Sequence, residues 1–271
     1  MTRDVTLGQF FPGKSLIHRL DPRVKLVLTI AFIVYIFVAQ NFVGLALLVV
    51  ATFALMAVSG VPVKLYFKSI KGILFIVIFT AVLNLFYGTG PVLVQFGFMQ
   101  ITANGIKNAV FISVRIISLI LFSSILTFTT SPTELTDALE RLLSPLKVLH
   151  VKVHEISMMM TIALRFVPTL LDETDRIMSA QKARGADMES GGLMQRIKAL
   201  IPVLIPLFVS SFRRAYDLAM AMECRCYHGG EGRTKMKILH LQKTDFAALA
   251  FGAVLLAAVI VLNVMVPASI S

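Results

Sequence analysis

Five apolar stretches, four before residue 131 and one after residue 244, constrain this chain more than any other feature. A segment that crosses a bilayer must satisfy its own backbone polar groups, so each stretch has to be helical. The 114 residues between the fourth and fifth stretches are of a different kind. They carry 28 of the chain's 41 Lys, Arg, Asp and Glu residues, 16 basic and 12 acidic. The expected fold is therefore all-α: a polytopic membrane protein of about five transmembrane helices, with a large cytoplasmic helical block between spans four and five. The expected division is 1–130 (an N-terminal segment and four spans), 131–244 (the charged block) and 245–271 (the last span and an external tail).

Composition agrees. The chain is 57% hydrophobic, with a mean hydropathy of +0.83, which excludes an ordinary soluble domain. The first 20 residues include Arg3, Asp4, Lys14, His18 and Arg19 and lack the apolar core of a cleavable signal. A net charge of +11 fits loops facing anionic lipid better than it fits nucleic acid, which is not expected as a partner. Cys224 and Cys226 are separated by one residue, too close for an unstrained disulfide, and read as reduced thiols.

The spans are expected at Val24–Ala39, Phe42–Val58, Gly72–Tyr87, Gly105–Phe128 and Phe246–Val266. Lys and Arg alternate across them. Arg3, Lys14, Arg19, Arg23 and Lys25 precede or open the first span, and Lys64, Lys68 and Lys71 separate the second from the third. The connections after spans one and three have no base before Lys107, and none follows Phe246. The positive-inside rule then puts the N-terminus and the charged block in the cytoplasm and the C-terminus outside. Gly90-Pro91, followed by Val92, Leu93, Val94, Phe96 and Phe98, reads as a small hairpin or re-entrant loop within 88–102.

Within the block, Ser131-Pro132-Thr133-Glu134 is a helix start with a capping box, and Pro145 ends or bends that helix. A second helix is expected over about Val153–Lys182, kinked at Pro168. A third is expected over about Leu193–Cys224. Its apolar run, Ala199–Val209, is interrupted by Pro202 and Pro206 and reads as lying at the interface rather than crossing it.

The last two helices end alike, in Ala183-Arg184-Gly185 and Cys224-Arg225-Cys226. One arginine at a helix C-terminus is ordinary dipole compensation. Two, each between small residues, suggest a pair of plugs for a two-fold partner, where each guanidinium can be gripped bidentately. Arg115, near the middle of span four, is an intramembrane functional candidate; no acid lies between Asp21 and Glu134 to pair with it, leaving backbone carbonyls, Asn84, water or the charged block. Met158, Met159 and Met160 are candidates for an adaptable contact surface, with core filling as the plainer reading. Cys224, Cys226 and His228 lack a fourth ligand nearby, and His150, His154 and Glu155 do not form a His-Glu-x-x-His motif, so no metal is expected.

Two stretches resemble the transmembrane T component (EcfT) of energy-coupling factor importers. One is Gly8-Gln9-Phe10-Phe11-Pro12-Gly13-Lys14-Ser15 with His18-Arg19-Leu20-Asp21-Pro22-Arg23-Val24-Lys25. The other is the pair of X-Arg-X triplets, where cysteines stand in the second for the family's usual small residues. The resemblance implies that Arg184 and Arg225 contact two ABC ATPase subunits and that the block cradles a substrate-binding S component. It implies a prokaryotic plasma-membrane location and vitamin uptake, with a dedicated cobalt or nickel importer as the alternative. ATP and Mg would sit on the ATPases and no cofactor on this chain, which lacks a Gly-x4-Gly-Lys-Ser/Thr loop and is expected not to be an enzyme. A self-contained secondary carrier would call for acids inside the spans, and none is there.

Overall fold

The computed structural model describes residues 10–86, 92–96, 99–186, 192–230 and 239–266. The described residues form two compact units, one of residues within Gly8–Ala138 and Ile238–Ser271, the other within Leu139–Lys237.

The first unit is a helical bundle. A short α1 (Leu16–Arg19) leads into α2 (Pro22–Val38), α3 (Phe42–Ser59) and α4 (Val63–Phe86). α5 (Ala103–Thr129), the start of α6 (Pro132–Leu142) and α9 (Lys243–Met265) complete it. Between α4 and α5, Val92–Phe96 and Met99–Thr102 pair antiparallel as a two-stranded hairpin, β1 and β2. The expectation of extended chain there is met over those residues; Phe98 and 88–91 fall outside the described residues.

Helix starts follow local chemistry. Asp21 caps α2 ahead of Pro22, accepting from the Arg23 N–H at 2.9 Å. Asn41 caps α3 through the Gly44 N–H at 2.7 Å, and Thr102 caps α5 through the Gly105 N–H at 3.1 Å. Gly105 also lets α4 and α5 approach closely, since a Cβ there would meet the Leu85 carbonyl.

One boundary needs correction. The helix that carries the third span begins at Val63, ahead of the expected Gly72, so Lys64, Lys68 and Lys71 lie in its opening turns. Their long stems can run along apolar surface with the charge at the interface, which is why charge alone misplaces the start.

α2 packs against α5 and α9. Phe32, Ile36, Leu45, Leu48, Phe111, Leu255 and Val259 form one buried cluster, with Phe32 stacked on Phe122 at 3.6 Å between centroids. A second cluster joins Ile17, Met56, Tyr66, Leu121, Ile125 and Phe128, where Tyr66 meets Phe128 edge-on and its hydroxyl lies 3.0 Å from Ser59 Oγ.

The second unit is built on two long helices, α7 (Val153–Ala183) and α8 (Leu193–Glu223), preceded by a 3₁₀ turn at Ser144–Leu149 that opens at Pro145. α8 follows the expected helix over about Leu193–Cys224. It is continuous for 31 residues with Pro202 and Pro206 inside. A proline at 206 has no N–H to give the Pro202 carbonyl. That carbonyl instead accepts from Gln181 Nε2 of α7 at 3.3 Å.

Five described helices are long and apolar enough to cross a membrane: α3, α4, α5, α8 and α9. Thus the count of five stands, but its membership differs from the sequence expectation. At 17 residues, about 25 Å, α2 is at the short limit for a span. α8 is the least apolar of the five. It also carries Arg196, Lys198, Arg213, Arg214, Asp217 and Glu223.

Candidate functional site

The two arginine triplets close their helices by the same backbone device. At the end of α7, the Gly185 N–H donates to the Lys182 carbonyl at 3.0 Å and the Ala186 N–H to the Gln181 carbonyl at 3.0 Å. At the end of α8, the Cys226 N–H donates to Glu223 at 2.8 Å and the Tyr227 N–H to Met222 at 3.1 Å. Each is a Schellman closure, a 5→2 bond paired with a 6→1 bond. Each requires a left-handed residue, Gly185 (φ +87°) in one and Cys226 (φ +55°) in the other. Arg184 and Arg225 hold the same place, one residue before it. Both are exposed, as are Ala183, Gly185, Cys224 and Cys226. Each guanidinium stands at a negative helix end, and small neighbours leave it open to approach.

A polar clasp that sequence reading missed ties these two helices together farther back. Glu173 of α7 accepts from Ser210 Oγ with one carboxylate oxygen and from Arg214 Nη2 at 2.5 Å with the other, both on α8. The Glu173 side chain is 20% exposed and that of Arg214 35%. Each residue alone looks like a solvated charge, and only the helix crossing makes them a pair.

The methionine candidates stand at the start of α7. Met159 and Met160 are exposed and Met158 is half-buried. On α8 a longer apolar row is exposed, including Ile197, Ile201, Leu204, Phe208 and Phe212. It recurs at helical spacing and could have been found from period alone.

Arg115 has a structural environment. Its Nη2 donates to the Ala39 carbonyl at 2.7 Å, and its guanidinium lies over Phe111 at 4.6 Å and Phe37 at 5.8 Å. Of the open partners, the backbone carbonyl is the one used. Ala39 follows the last residue of α2, so Arg115 satisfies a carbonyl the helix leaves free. Nearby, Asn263 Nδ2 donates to the Val38 carbonyl at 2.7 Å and Asn41 Nδ2 to the Leu262 carbonyl at 2.9 Å.

At the opposite end of the bundle the Asp21-Pro22-Arg23-Val24-Lys25 part of the N-terminal motif folds into a largely buried node. Asp21 is gripped by Arg23 through Nε (3.0 and 3.2 Å) and Nη2 (2.7 Å), and its N–H donates to Asp245 Oδ1 at 2.8 Å. Arg23 Nη2 also reaches the Leu239 carbonyl at 3.1 Å. Lys25 Nζ donates to the Thr129 carbonyl at 2.9 Å, the His18 carbonyl at 3.3 Å and Thr130 Oγ1 at 3.4 Å, so a buried ammonium is fully served. Burial works against the charge on Asp21, but the Arg23 hydrogen bonds and the charges of Arg23 and Lys25 outweigh it and hold the carboxyl below its ordinary pKa.

Comparison with known proteins decides the family. Residues 13–238 match the family CbiQ, described as "Cobalt transport protein". The chain is 50% identical over 263 residues, 97% of its length and 98% of the relative's, to the energy-coupling factor transporter transmembrane protein EcfT of Ruminiclostridium cellulolyticum. The chain belongs to the EcfT family. It is 52% identical to the EcfT of Clostridium kluyveri over 250 residues (92% and 93% of the two chains). It is 48% identical to that of Bacillus subtilis over 240 residues (88% and 91%). As an EcfT it is a multi-pass protein of the bacterial cell membrane and a non-catalytic transmembrane T component of an ECF transporter.

Proposed function

We propose that this EcfT couples the ATPases of an ECF importer to a substrate-binding S component through Arg184 and Arg225. The observation that carries the reading is the pair of matching helix closures, which present two exposed arginines in the same backbone setting. Two ABC ATPase subunits would each grip one helix tip, Ala183-Arg184-Gly185 or Cys224-Arg225-Cys226. ATP and Mg belong to those subunits, and this chain binds neither.

ATP-driven closure of the ATPase pair moves the tips, and the Glu173 clasp supports their moving together. The S component takes the motion on the apolar row of α8 and on Met158, Met159 and Met160, tilts, and releases its substrate inward. The charged block of 131–244 is the coupling unit between the spans of 1–130 and 245–271. The alternation of Lys and Arg supports a cytoplasmic N-terminus and an external C-terminus, and the charges of α8 support its lying at the interface.

A vitamin is the proposed cargo, as the resemblance of the N-terminal motif and the X-Arg-X triplets implies. The CbiQ description supports the second reading, a dedicated cobalt or nickel importer.

Gentle purification of the tagged chain from its own membranes tests these readings. Two different ABC ATPases with several small membrane proteins would support a shared vitamin module. One ATPase with one fixed binding protein would support the metal importer. No ATPase at all would overturn the coupling role and revive a self-contained carrier. Arg184→Glu with Arg225→Glu should leave the chain inserted while uncoupling ATP hydrolysis from uptake; normal uptake by that double variant would sink the plug mechanism.

A further inference from the structure

The bundle unit contains a cavity of about 480 Å³, lined almost wholly by apolar atoms of α1, α2, α3, α5 and α9. Its lining extends from Lys25 to Tyr35 on α2 and from Thr244 to Leu255 on α9. At the helical rise, each stretch is about 15 Å long, half the roughly 30 Å of a bilayer's hydrocarbon core. The cavity is thus a slot one leaflet deep, and Leu16, Ile17, Leu20, Lys25 and Thr244 line it at the end of the bundle where α2 and α9 begin. Water finds no set of polar partners in it. Its one ammonium, Lys25, is already served by three protein oxygens.

The fully exposed charges at the same end are basic, while Glu134, which acts on Lys25, is half-buried and tied to Ser131. Asp21 and Asp245 are buried and committed to Arg23 and to backbone N–H groups. Lys14, Arg19 and Lys243 are exposed and form no ion pair among the described residues. Arg19 and Lys243 are the chain neighbours of the lining residues Leu20 and Thr244.

We infer that this slot takes one acyl chain of an anionic phospholipid, whose phosphate is held at the interface by Lys14, Arg19 and Lys243. Depth, dryness and charge agree on that occupant. A chain in the slot would cover apolar surface of Phe122 and Phe251 and fill space that would otherwise forfeit packing.

The absence of tryptophan from the chain makes a direct test available. Phe251→Trp puts a single reporter in the slot. Phe75→Trp, on α4 and 79% exposed, reports ordinary lipid contact. Each variant of the full chain is placed in mixed phosphatidylglycerol and phosphatidylcholine vesicles in which one lipid or the other has brominated acyl chains. At Phe251→Trp, brominated phosphatidylglycerol is expected to quench at least about two-fold more than brominated phosphatidylcholine at the same mole fraction, an excess smaller than one interfacial base can sustain. At Phe75→Trp the two should quench alike. Ala248→Phe, which fills the slot, should remove the excess, and so should Lys14→Gln, Arg19→Gln and Lys243→Gln together. Equal quenching by the two lipids at Phe251→Trp, or none by either, would overturn the inference. Native mass spectrometry of the unaltered chain gives an independent reading: retained phosphatidylglycerol supports it, and indifferent retention of both lipids counts against it.

Discussion

Arg184 and Arg225 occupy equivalent positions in two Schellman closures, each one residue before a left-handed residue and each exposed at the end of a 31-residue helix. The likeness of the triplets is therefore one of backbone geometry as well as of residue type. The tip places a guanidinium at the helix axis end, where the last carbonyls attract it and nothing bulky shields it.

The closures differ in what fills the left-handed position. Cysteine carries a Cβ that disfavours φ +55°, and glycine does not. Cys226→Gly is expected to stabilise the end of α8 by about 0.5–1 kcal/mol and to preserve uptake. Gly185→Val should fray the end of α7 and lower uptake. Hydrogen exchange at the last turn of each helix checks both.

If each arginine is gripped through two parallel hydrogen bonds, charge alone will not replace it. Arg184→Lys and Arg225→Lys should each lower transport per ATP hydrolysed while leaving insertion unchanged. Full coupling by the lysine variants, measured in vesicles holding the whole complex, would show that a point charge suffices.

Glu173 and Arg214 are expected to keep the two tips in register. Glu173→Ala leaves Arg214 and Ser210 without their carboxylate and should cost about 1–2 kcal/mol, discounted for partial exposure. The decisive reading is the distance between spin labels at the two helix ends. It should broaden in Glu173→Ala and stay narrow in Glu173→Asp. An unchanged distribution in the alanine variant would assign the spacing to apolar packing instead.

Asp21 predicts an acid dependence. Its folded pKa is depressed, so the stability it contributes is present above the unfolded carboxylate value of about 3.9. That stability is lost as pH falls through the lower folded value. Thermal unfolding of the detergent-solubilised chain should fall more steeply below about pH 4 in the unaltered protein than in Asp21→Asn, which starts less stable near neutrality.

Arg115→Gln should loosen the end of α2, because the Ala39 carbonyl loses its donor and the Phe111 face its cation. Arg115→Lys keeps charge but not the planar fork, and should recover part of the loss. Thermal unfolding ranks the three chains; equal midpoints would remove Arg115 from the account of stability.

Hydropathy runs and caps such as Ser131-Pro132 are local, so the sequence alone determined where the long helices lie, though not the starts of α2 and α4, and the alternation of Lys and Arg between them. The two helix closures were legible for the same reason, since a Schellman motif needs only residues within one turn of each other. Only the tertiary structure decided the pairs that cross the chain. Asp21 meets Asp245, Asn41 meets the carbonyl of Leu262, Arg115 meets that of Ala39, and Glu173 meets Arg214. These depend on which helix faces which, and at what height. That is set by packing Phe32 on Phe122 and by the approach that Gly105 allows, not by any pattern along a single helix. The leaflet-deep slot is of the same origin: no one helix encodes it, and it exists only where five of them leave a gap.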